Sequence, residues 1–290
     1  MTLQAEMETA TAISADEYDR FRTYFYRKTG IRFEDSKRYF VDKRLESRIR
    51  ETGHDSFRSY FMALRFEAAQ TELQALTNLL TTNETYFYRE DYQFRAMVRD
   101  VLPEIARHKR AGDIIRIWSL PCSTGEEPYS IALHLLEHWP GIETWDVEIL
   151  ASDIDTNALE KARAGCYGKR SIGFLPRPVL DRYFEAKTSD VWQISEMLRR
   201  SVNFSRANIT DVNDMRGYAN IDVVYCRNML IYFDDQSRRA AVETLYGAMS
   251  PGGFIFLGHS ESMSRMSGLF QVRRFADGIV YQKPRAENGG

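Results

Sequence analysis

The sequence predicts an α/β protein in which a mostly parallel sheet ends in an antiparallel hairpin, follows an all-α bundle and carries a small β insert. Three observations support this. Apolar residues recur at helical spacing through the first eighty positions, and strands alternate with helices from about residue 114 onward. Near the C-terminus two strand-like runs flank Asp277 and Gly278, a pair suited to a tight turn.

The bundle begins with Ser14 as N-cap and Glu17 three residues later, a capping box that satisfies two otherwise unpaired backbone donors. Tyr18, Phe21 and Phe25 form the apolar stripe and Gly30 stops the helix. A second helix is expected from Ser36 to about Gly53 with Val41, Leu45 and Ile49 on one face, and a third from Asp55 or Ser56. A fourth carries Leu73, Leu76, Leu79 and Leu80 and ends near Thr81. Four short helices pack as one bundle. The expected division is a disordered N-terminus over 1–13, a helical domain over 14–80, a linker over 81–92, a larger domain over 93–284 and a tail over 285–290.

The larger domain opens with a long helix from Asp91 that buries Phe94, Met97, Val98, Val101, Leu102 and Ile105, with a bend expected at Pro103. Strands follow at Ile114 to Ser119, Val147 to Ser152, Ile221 to Cys226 and Phe254 to Leu257. Helices lie between them at Pro128 to His138, Thr156 to Ala164 and Asp235 to Met249. Such alternation implies parallel strands covered on both faces. The stretch 166–205 exceeds an ordinary crossover. It reads as an inserted subdomain with a helix near Pro178 to Glu185 and strands near Val191 to Ile194 and Leu198 to Phe204. The final strands, Phe270 to Phe275 and Ile279 to Lys283, form the hairpin. A parallel sheet finished this way is typical of methyltransferases that use S-adenosylmethionine and unusual for a dehydrogenase.

Composition narrows the classes. The chain has 290 residues, 43% hydrophobic and 28% charged, enough for cores that need no disulfide or metal staple. Cys122, Cys166 and Cys226 are far apart and lack Cys-x-x-Cys spacing, which fits a reducing compartment. Neither a secretory leader nor a run long enough to span a membrane is written in the sequence, so a soluble, cytoplasmic protein without membrane insertion is expected. With 39 Lys and Arg against 41 Asp and Glu, the net charge of -2 argues against a surface built for nucleic acid. A monomer is expected.

In an open parallel sheet the ligand lies beyond the carboxyl ends of the strands. After Ser119 comes Pro121-Cys122-Ser123-Thr124-Gly125-Glu126-Glu127-Pro128, which lacks the Gly-x-Gly-x-x-Gly that lets a pyrophosphate touch backbone. Its two acids repel phosphate and suit a cation, although they also complement a helix dipole. Asp153 ends the next strand, where a carboxylate can accept from both ribose hydroxyls, with an N-cap as the alternative role. A nucleoside without phosphates and with a positive charge fits both tips, and S-adenosylmethionine is such a ligand. The third tip offers Arg227, Asn228 and Tyr232 to a cofactor tail or an acceptor. It lacks the prolines expected of an enzyme that flips DNA bases.

The segment Thr81 to Glu90 is too dense in polar and aromatic residues for a plain linker. Asn83-Glu84-Thr85 with Phe87 and Arg89, Ser123 to Ser130, Ser152-Asp153-Ile154-Asp155, Cys226-Arg227-Asn228 with Ile231-Tyr232-Phe233, and Gly258-His259-Ser260-Glu261 together resemble the CheR-type chemotaxis receptor glutamate methyltransferases. The five motifs run in order between about residues 15 and 283. The resemblance implies a class I, Rossmann-like methyltransferase domain with S-adenosylmethionine as methyl donor and S-adenosylhomocysteine as product. It implies Asn83, Thr85, Arg89, Glu126, Asp153, Asn208, Ile209, Asn228 and Met229 as cofactor-binding residues, with Arg89 and Tyr232 nearest the transfer. It also implies a partner, the glutamate-bearing cytoplasmic region of methyl-accepting chemoreceptors.

The chemistry agrees. Methyl passes from a sulfonium to a carboxylate already ionised at neutral pH, so no general base is needed and positioning dominates. Arg89 is expected to orient the acceptor carboxylate and Tyr232 the sulfonium end. From Ser36 to Arg50 six basic residues face two acidic ones, and Lys37, Arg44 and Arg48 share one helical sector as an expected docking face. His134, Glu137 and His138 mimic a zinc-peptidase spelling without further ligands, so no metal is expected. His259 reads as a hydrogen-bonded structural residue rather than a base. Family members that tether to a receptor's C-terminal peptide carry a glycine-punctuated turn in the insert. Here Ala186 to Trp192 holds no glycine, which implies recognition without a tether. The alternatives are methylation of another acidic protein or small acid, and an adaptor that senses S-adenosylmethionine without turnover.

Overall fold

The computed structural model describes residues 13–110, 112–263 and 266–285, and the chain divides into two compact units. One comprises Met1–Thr82 with Tyr232–Asp234; the other comprises Asn83–Ile231 with Asp235–Gly290. The expected disordered N-terminus and C-terminal tail lie outside the described residues, apart from Ile13, which is buried in the helical core, and Arg285, whose guanidinium approaches Glu104 at 3.9 Å.

The helical unit contains α1 (Ala15–Thr29), α2 (Arg38–Glu51), α3 (Phe57–Phe66) and α4 (Thr71–Leu80). Ser14 and Glu17 form the expected capping box, and Gly30 caps the far end of α1 at φ 74°. A 3-10 turn, Asp35–Lys37, precedes α2, and Ser56 caps α3 by accepting from the Ser59 amide at 3.2 Å. Tyr18, Phe21 and Phe25 meet Val41, Leu45, Ile49, Phe57, Leu73, Leu76 and Leu80 in one core. Leu79 is exposed and Thr77 takes the interior position, its hydroxyl bonded back to the Leu73 carbonyl at 2.8 Å. Three residues distant in sequence complete the unit. Phe233 bridges to Ile31, the Tyr232 carbonyl accepts from the Arg32 amide at 3.0 Å, and the Tyr26 hydroxyl donates to Asp234 at 2.9 Å.

The α/β unit starts with α5 (Asp91–Ala96), a π-helical turn (Met97–Val101) and α6 (Leu102–Ala106). The irregularity thus falls one turn before Pro103. Pro103 has no amide to offer the Arg99 carbonyl and its ring crowds that oxygen, so the ladder widens upstream. Then follow β1 (Ile115–Ser119), α7 (Glu126–His138), β2 (Val147–Asp153), α8 (Thr156–Ala164), β7 (Ile221–Cys226), α13 (Asp235–Ala248), β8 (Met249–Leu257), β9 (Gln271–Phe275) and β10 (Gly278–Gln282), with an insertion between α8 and β7. With β6 (Val202–Arg206), which follows the insert, the seven-stranded sheet runs β6-β2-β1-β7-β8-β10-β9. All pairs are parallel except those of β10, whose partners β8 and β9 are antiparallel to it. Strand order reverses at β1, between β2 and β7, the place where an open sheet leaves a crevice. Strand β7 is buried throughout, as its apolar run requires.

The insert holds β3 (Cys166–Gly168), α9 (Lys169–Ile172), α10 (Arg177–Tyr183), β4 (Phe184–Ala186) and β5 (Val191–Ile194), with β3-β5-β4 as an antiparallel sheet. It ends earlier than the expected 166–205. The presumed strand Leu198 to Phe204 divides into α11 (Glu196–Arg200), capped by Ser195, and β6 (Val202–Arg206), which pairs with β2 at the edge of the large sheet. A five-residue helix spans fewer than two turns, so no apolar repeat is visible in it and it merges with the following strand in a periodicity reading. The glycine-free turn between β4 and β5 closes through Lys187 and Thr188 amides on the Val191 carbonyl, with Lys169 Nζ 2.6 Å from Asp190. A further short helix, α12 (Val212–Met215), lies between β6 and β7.

Candidate active site

The tips of β1, β2 and β6 are knitted by main-chain bonds. The Cys122 amide donates to the Ser152 carbonyl at 2.8 Å and the Ala207 amide to the Asp153 carbonyl at 3.0 Å. Asp153 is buried at this junction, and its carboxylate accepts from the Ser123 amide at 2.7 Å and the Asp155 amide at 2.9 Å. Burial pushes the Asp153 carboxyl up to about 6, against the lowering effect of those amides. Asp155, not Asp153, caps α8, accepting from Asn157 and Ala158. The Ile154 amide also bonds this carboxylate, and a carboxylate has about four acceptor positions, so Asp153 can accept beyond its amides.

Asn83 joins this group from the linker. Its side-chain amide donates to Asp155 at 2.6 Å and its carbonyl accepts from the Ser123 hydroxyl at 3.0 Å. Asn208 is buried just past β6; its side-chain oxygen accepts from Thr210 Oγ1 at 2.8 Å and its amide donates to Asp214 at 2.9 Å. Ile209 beside it is buried, and Thr85 is half-buried.

Glu126 is turned elsewhere. Its carboxylate bonds the Ser171 hydroxyl of the insert and the Thr124 hydroxyl, and burial raises its carboxyl above the ordinary range. The preceding Gly125, at φ 94°, cannot carry a side chain, because a Cβ would meet Ala162 Cβ at 2.9 Å.

At the third tip the expectation for Arg227 needs correction. It does not serve a ligand: its side chain is 2% exposed and lies 3.2 Å from Glu127 and 3.5 Å from Glu90, with Nη2 donating to the Arg89 carbonyl at 2.6 Å. A buried guanidinium needs such partners. Burial raises Glu127, which also accepts from Ser119 at 2.7 Å. Partial burial pushes the half-buried Glu90 up, but Arg227 and the His259 donors outweigh that and hold it below the usual range. His259 Nδ1 lies 3.0 Å from Glu90. Asn228 and Met229 are half-buried on a loop that Glu261 gathers, accepting from the Asn228 and Gly258 amides at 2.9 Å each. Burial raises Glu261, and those amides with Leu230 and Ile231 oppose it.

Arg89 is half-buried, donates to the Glu84 carbonyl at 2.7 Å and lies over the Tyr86 ring at 5.8 Å. Among the described residues six non-glycine residues have positive φ, and four of them, Tyr88, Glu90, Ser123 and Asn228, lie in the linker and at the tips of β1 and β7. Such backbone is costly and concentrates at functional sites. The linker is thus bound to the β1 and β2 tips at Asn83 and to the β7 tip at Arg89. Tyr232 belongs to the helical unit and is 41% exposed.

In α2 the expected docking face is mostly engaged. Arg48 bonds Glu72 through two nitrogens at 2.9 and 2.5 Å and Glu51 at 2.7 Å. Arg44 donates to the Leu79 and Phe40 carbonyls and sits 3.5 Å from the Phe40 ring centroid. Lys37, Lys43 and Arg50 are exposed. Helical spacing finds which residues share a sector but not whether a neighbouring helix supplies an acid, as Glu72 does here. The metal decoy resolves into separate contacts, His134 to Asp91 at 3.0 Å and Glu137 to Tyr183 at 2.6 Å. Among the described residues no group of three potential ligands could hold a metal ion, and no helix is long and apolar enough to cross a membrane.

Chemically, the β1 and β2 tips hold the buried Asp153 carboxylate, with acceptor positions beyond its amides, beside the hydrogen-bonded Asn83, Ser123 and Asp155. That set fits ribose hydroxyls and positive charge.

Residues 83–279 match the CheR methyltransferase SAM-binding domain and residues 16–81 its all-alpha domain. The chain is 54% identical to chemotaxis protein methyltransferase 2 of Vibrio cholerae, over 94% of both chains. It is 35% identical to the chemotaxis protein methyltransferase of Salmonella typhimurium over 92% of this chain and 91% of that one, and 32% identical to chemotaxis protein methyltransferase 1 of Pseudomonas aeruginosa over 94% and 99%. These matches over nearly the whole length establish the chain as a member of the CheR family of S-adenosylmethionine-dependent chemotaxis protein methyltransferases.

Proposed function

We propose that the protein forms methyl esters on glutamate side chains of chemoreceptor cytoplasmic regions. S-adenosylmethionine, when bound, supplies a methyl group made electrophilic by its sulfonium. Asn83, Thr85, Asp153, Asn208, Ile209, Asn228 and Met229 would hold it, with Glu126 bracing the β1 loop from beneath. The buried Asp153 carboxylate at the β1 and β2 tips supports this reading, because it keeps acceptor positions that suit ribose hydroxyls, while Asn83 ties the linker to the same place through Asp155 and Ser123.

The single observation that carries the acceptor class is the state of Arg89. Its guanidinium has five donors and, among the described residues, gives one hydrogen bond, to the Glu84 carbonyl. A half-buried guanidinium with open donors suits a planar carboxylate. The acceptor is ionised at neutral pH, so the residues need only orient it and exclude water; the raised acids Glu126 and Glu127 are not required as bases. Tyr232 is proposed as the second residue near the transfer. Lys37 in the 3-10 turn before α2, with Lys43 and Arg50 on α2, is the exposed basic surface available to an acidic receptor.

Incubation with methyl-labelled S-adenosylmethionine and receptor-bearing membranes, scored for base-labile methyl released as methanol, tests the proposal. Label that resists base, or cofactor binding without any transfer, would overturn it and favour the sensing adaptor. Tether-free recognition predicts no tight calorimetric binding of a receptor C-terminal pentapeptide.

A further inference from the structure

The guanidinium of Arg89 has two supports, the Glu84 carbonyl at 2.7 Å and the face of Tyr86 at 5.8 Å. Each is gripped in turn by the insert. Arg170 Nη2 lies 2.8 Å from Glu84 Oε1, and the Phe174 ring packs on Tyr86 with centroids 4.8 Å apart. Between these contacts the Phe87 amide donates to the Ser171 carbonyl at 2.9 Å, and the Phe87 ring sits edge-on against Tyr167 and Phe184. The segment carrying Arg89 is therefore laid along α9 and the turn that follows it.

Two features mark Phe174 as more than packing. It is 65% exposed, an unusual place for a phenylalanine, and its contact is with the ring beneath Arg89. The Arg170–Glu84 pair is also largely exposed, with side chains 85% and 67% accessible, so it contributes little to stability. Both contacts converge on one guanidinium.

We infer that Phe174 and Arg170 are positioning residues for methyl transfer, acting through Tyr86 and Glu84 to aim Arg89 at the acceptor carboxylate. The inference rests on the proposed role of Arg89. It gives the insert a catalytic task independent of peptide tethering: the subdomain is a back-plate for the linker. Phe174 has the larger effect, because an aromatic contact fixes the ring plane on which the guanidinium lies, whereas a solvated ion pair constrains only the Glu84 side chain.

The test uses the full-length protein with receptor-bearing membranes and labelled S-adenosylmethionine. Phe174→Ala is expected to lower kcat for receptor methylation about tenfold, while KM for S-adenosylmethionine and calorimetric affinity for S-adenosylhomocysteine stay within about twofold. Phe174→Tyr, which keeps the ring, should restore the rate, and Arg170→Ala should cost about threefold on the same scale. In an Arg89→Lys background, Phe174→Ala should cost far less than it does alone. Unchanged kcat in Phe174→Ala, an equal fall in cofactor affinity, or full additivity with Arg89→Lys would each overturn the inference. Activity retained by Arg89→Ala would instead remove the reading on which it rests.

Discussion

Helix α2 of the helical unit and the segment Asn83–Arg89 of the α/β unit both carry arginines, yet they deploy them differently. In α2, Arg48 is forked onto Glu72 and Glu51, and Arg44 is absorbed by carbonyls and a ring. Arg89 keeps most of its donors open, and one residue's reach away Arg227 is sealed between two carboxylates while bonding the Arg89 carbonyl. Arginine count alone therefore misplaces the working charge. Paired guanidinium groups build the frame, and the open one is the candidate for binding an anion.

The largest expected effect breaks the contrast directly. Arg89→Ala should reduce receptor methylation by about a thousandfold, the scale lost with an oriented electrostatic contact, with an unchanged thermal midpoint. A variant retaining a tenth of normal activity would place carboxylate orientation elsewhere. Arg227→Met should act on the frame instead, destabilising the α/β unit by about 3–5 kcal/mol because Glu127 and Glu90 lose their shared partner. Chemical denaturation measures this, and a shift below about 1 kcal/mol would show the ion pairs to be incidental.

Asp153→Asn should weaken S-adenosylhomocysteine binding roughly tenfold to a hundredfold, the range for losing hydrogen bonds to a charged group. It also carries a signed pH dependence. The folded carboxyl is pushed up to about 6, above its unfolded value, so between those two values the native state holds more protons. Wild-type stability from this group therefore falls as pH rises through that window, and the asparagine variant should lack that component. Comparing denaturation midpoints of the two proteins across the window checks it. The smallest effect sharpens the α2 side: Lys37→Glu, Lys43→Glu and Arg50→Glu together should raise KM for receptor a few-fold at low salt and less at high salt. Reversing Arg44 and Arg48 is a poorer probe, since an acid at position 48 would face Glu72 and Glu51.

Sequence periodicity recovers what depends on burial of one face. The stripes of Tyr18, Phe21, Phe25 and of Val41, Leu45, Ile49 and the apolar run of β7 follow from it; the hairpin is signalled by its turn residues instead, and its two-residue turn is Ala276-Asp277, one position before the expected pair, with Gly278 already paired with Phe275 in β10. It fails where an element spans too few turns for the apolar repeat to recur, as in α11, which merges with β6, and where a local defect depends on a single amide, as at the π turn before Pro103. For the candidate site, strand ends locate Asp153 and Asn228, and motif order recovers the linker. Partners across space stay hidden: nothing in the spacing pairs Arg227 with Glu127, or reveals that Glu261 holds the Asn228 loop by its amides.

The contribution of Tyr232–Asp234 to the helical unit has a practical corollary. Because the backbone enters that unit twice, a cut after Thr82 would not release an autonomous fragment. The excised helices would forfeit the Phe233 bridge to Ile31 and leave the Arg32 amide and the Tyr26 hydroxyl seeking water. Severed halves mixed in solution should therefore reassociate rather than behave as strangers, and a transplant of the bundle onto another scaffold must carry this tripeptide with it.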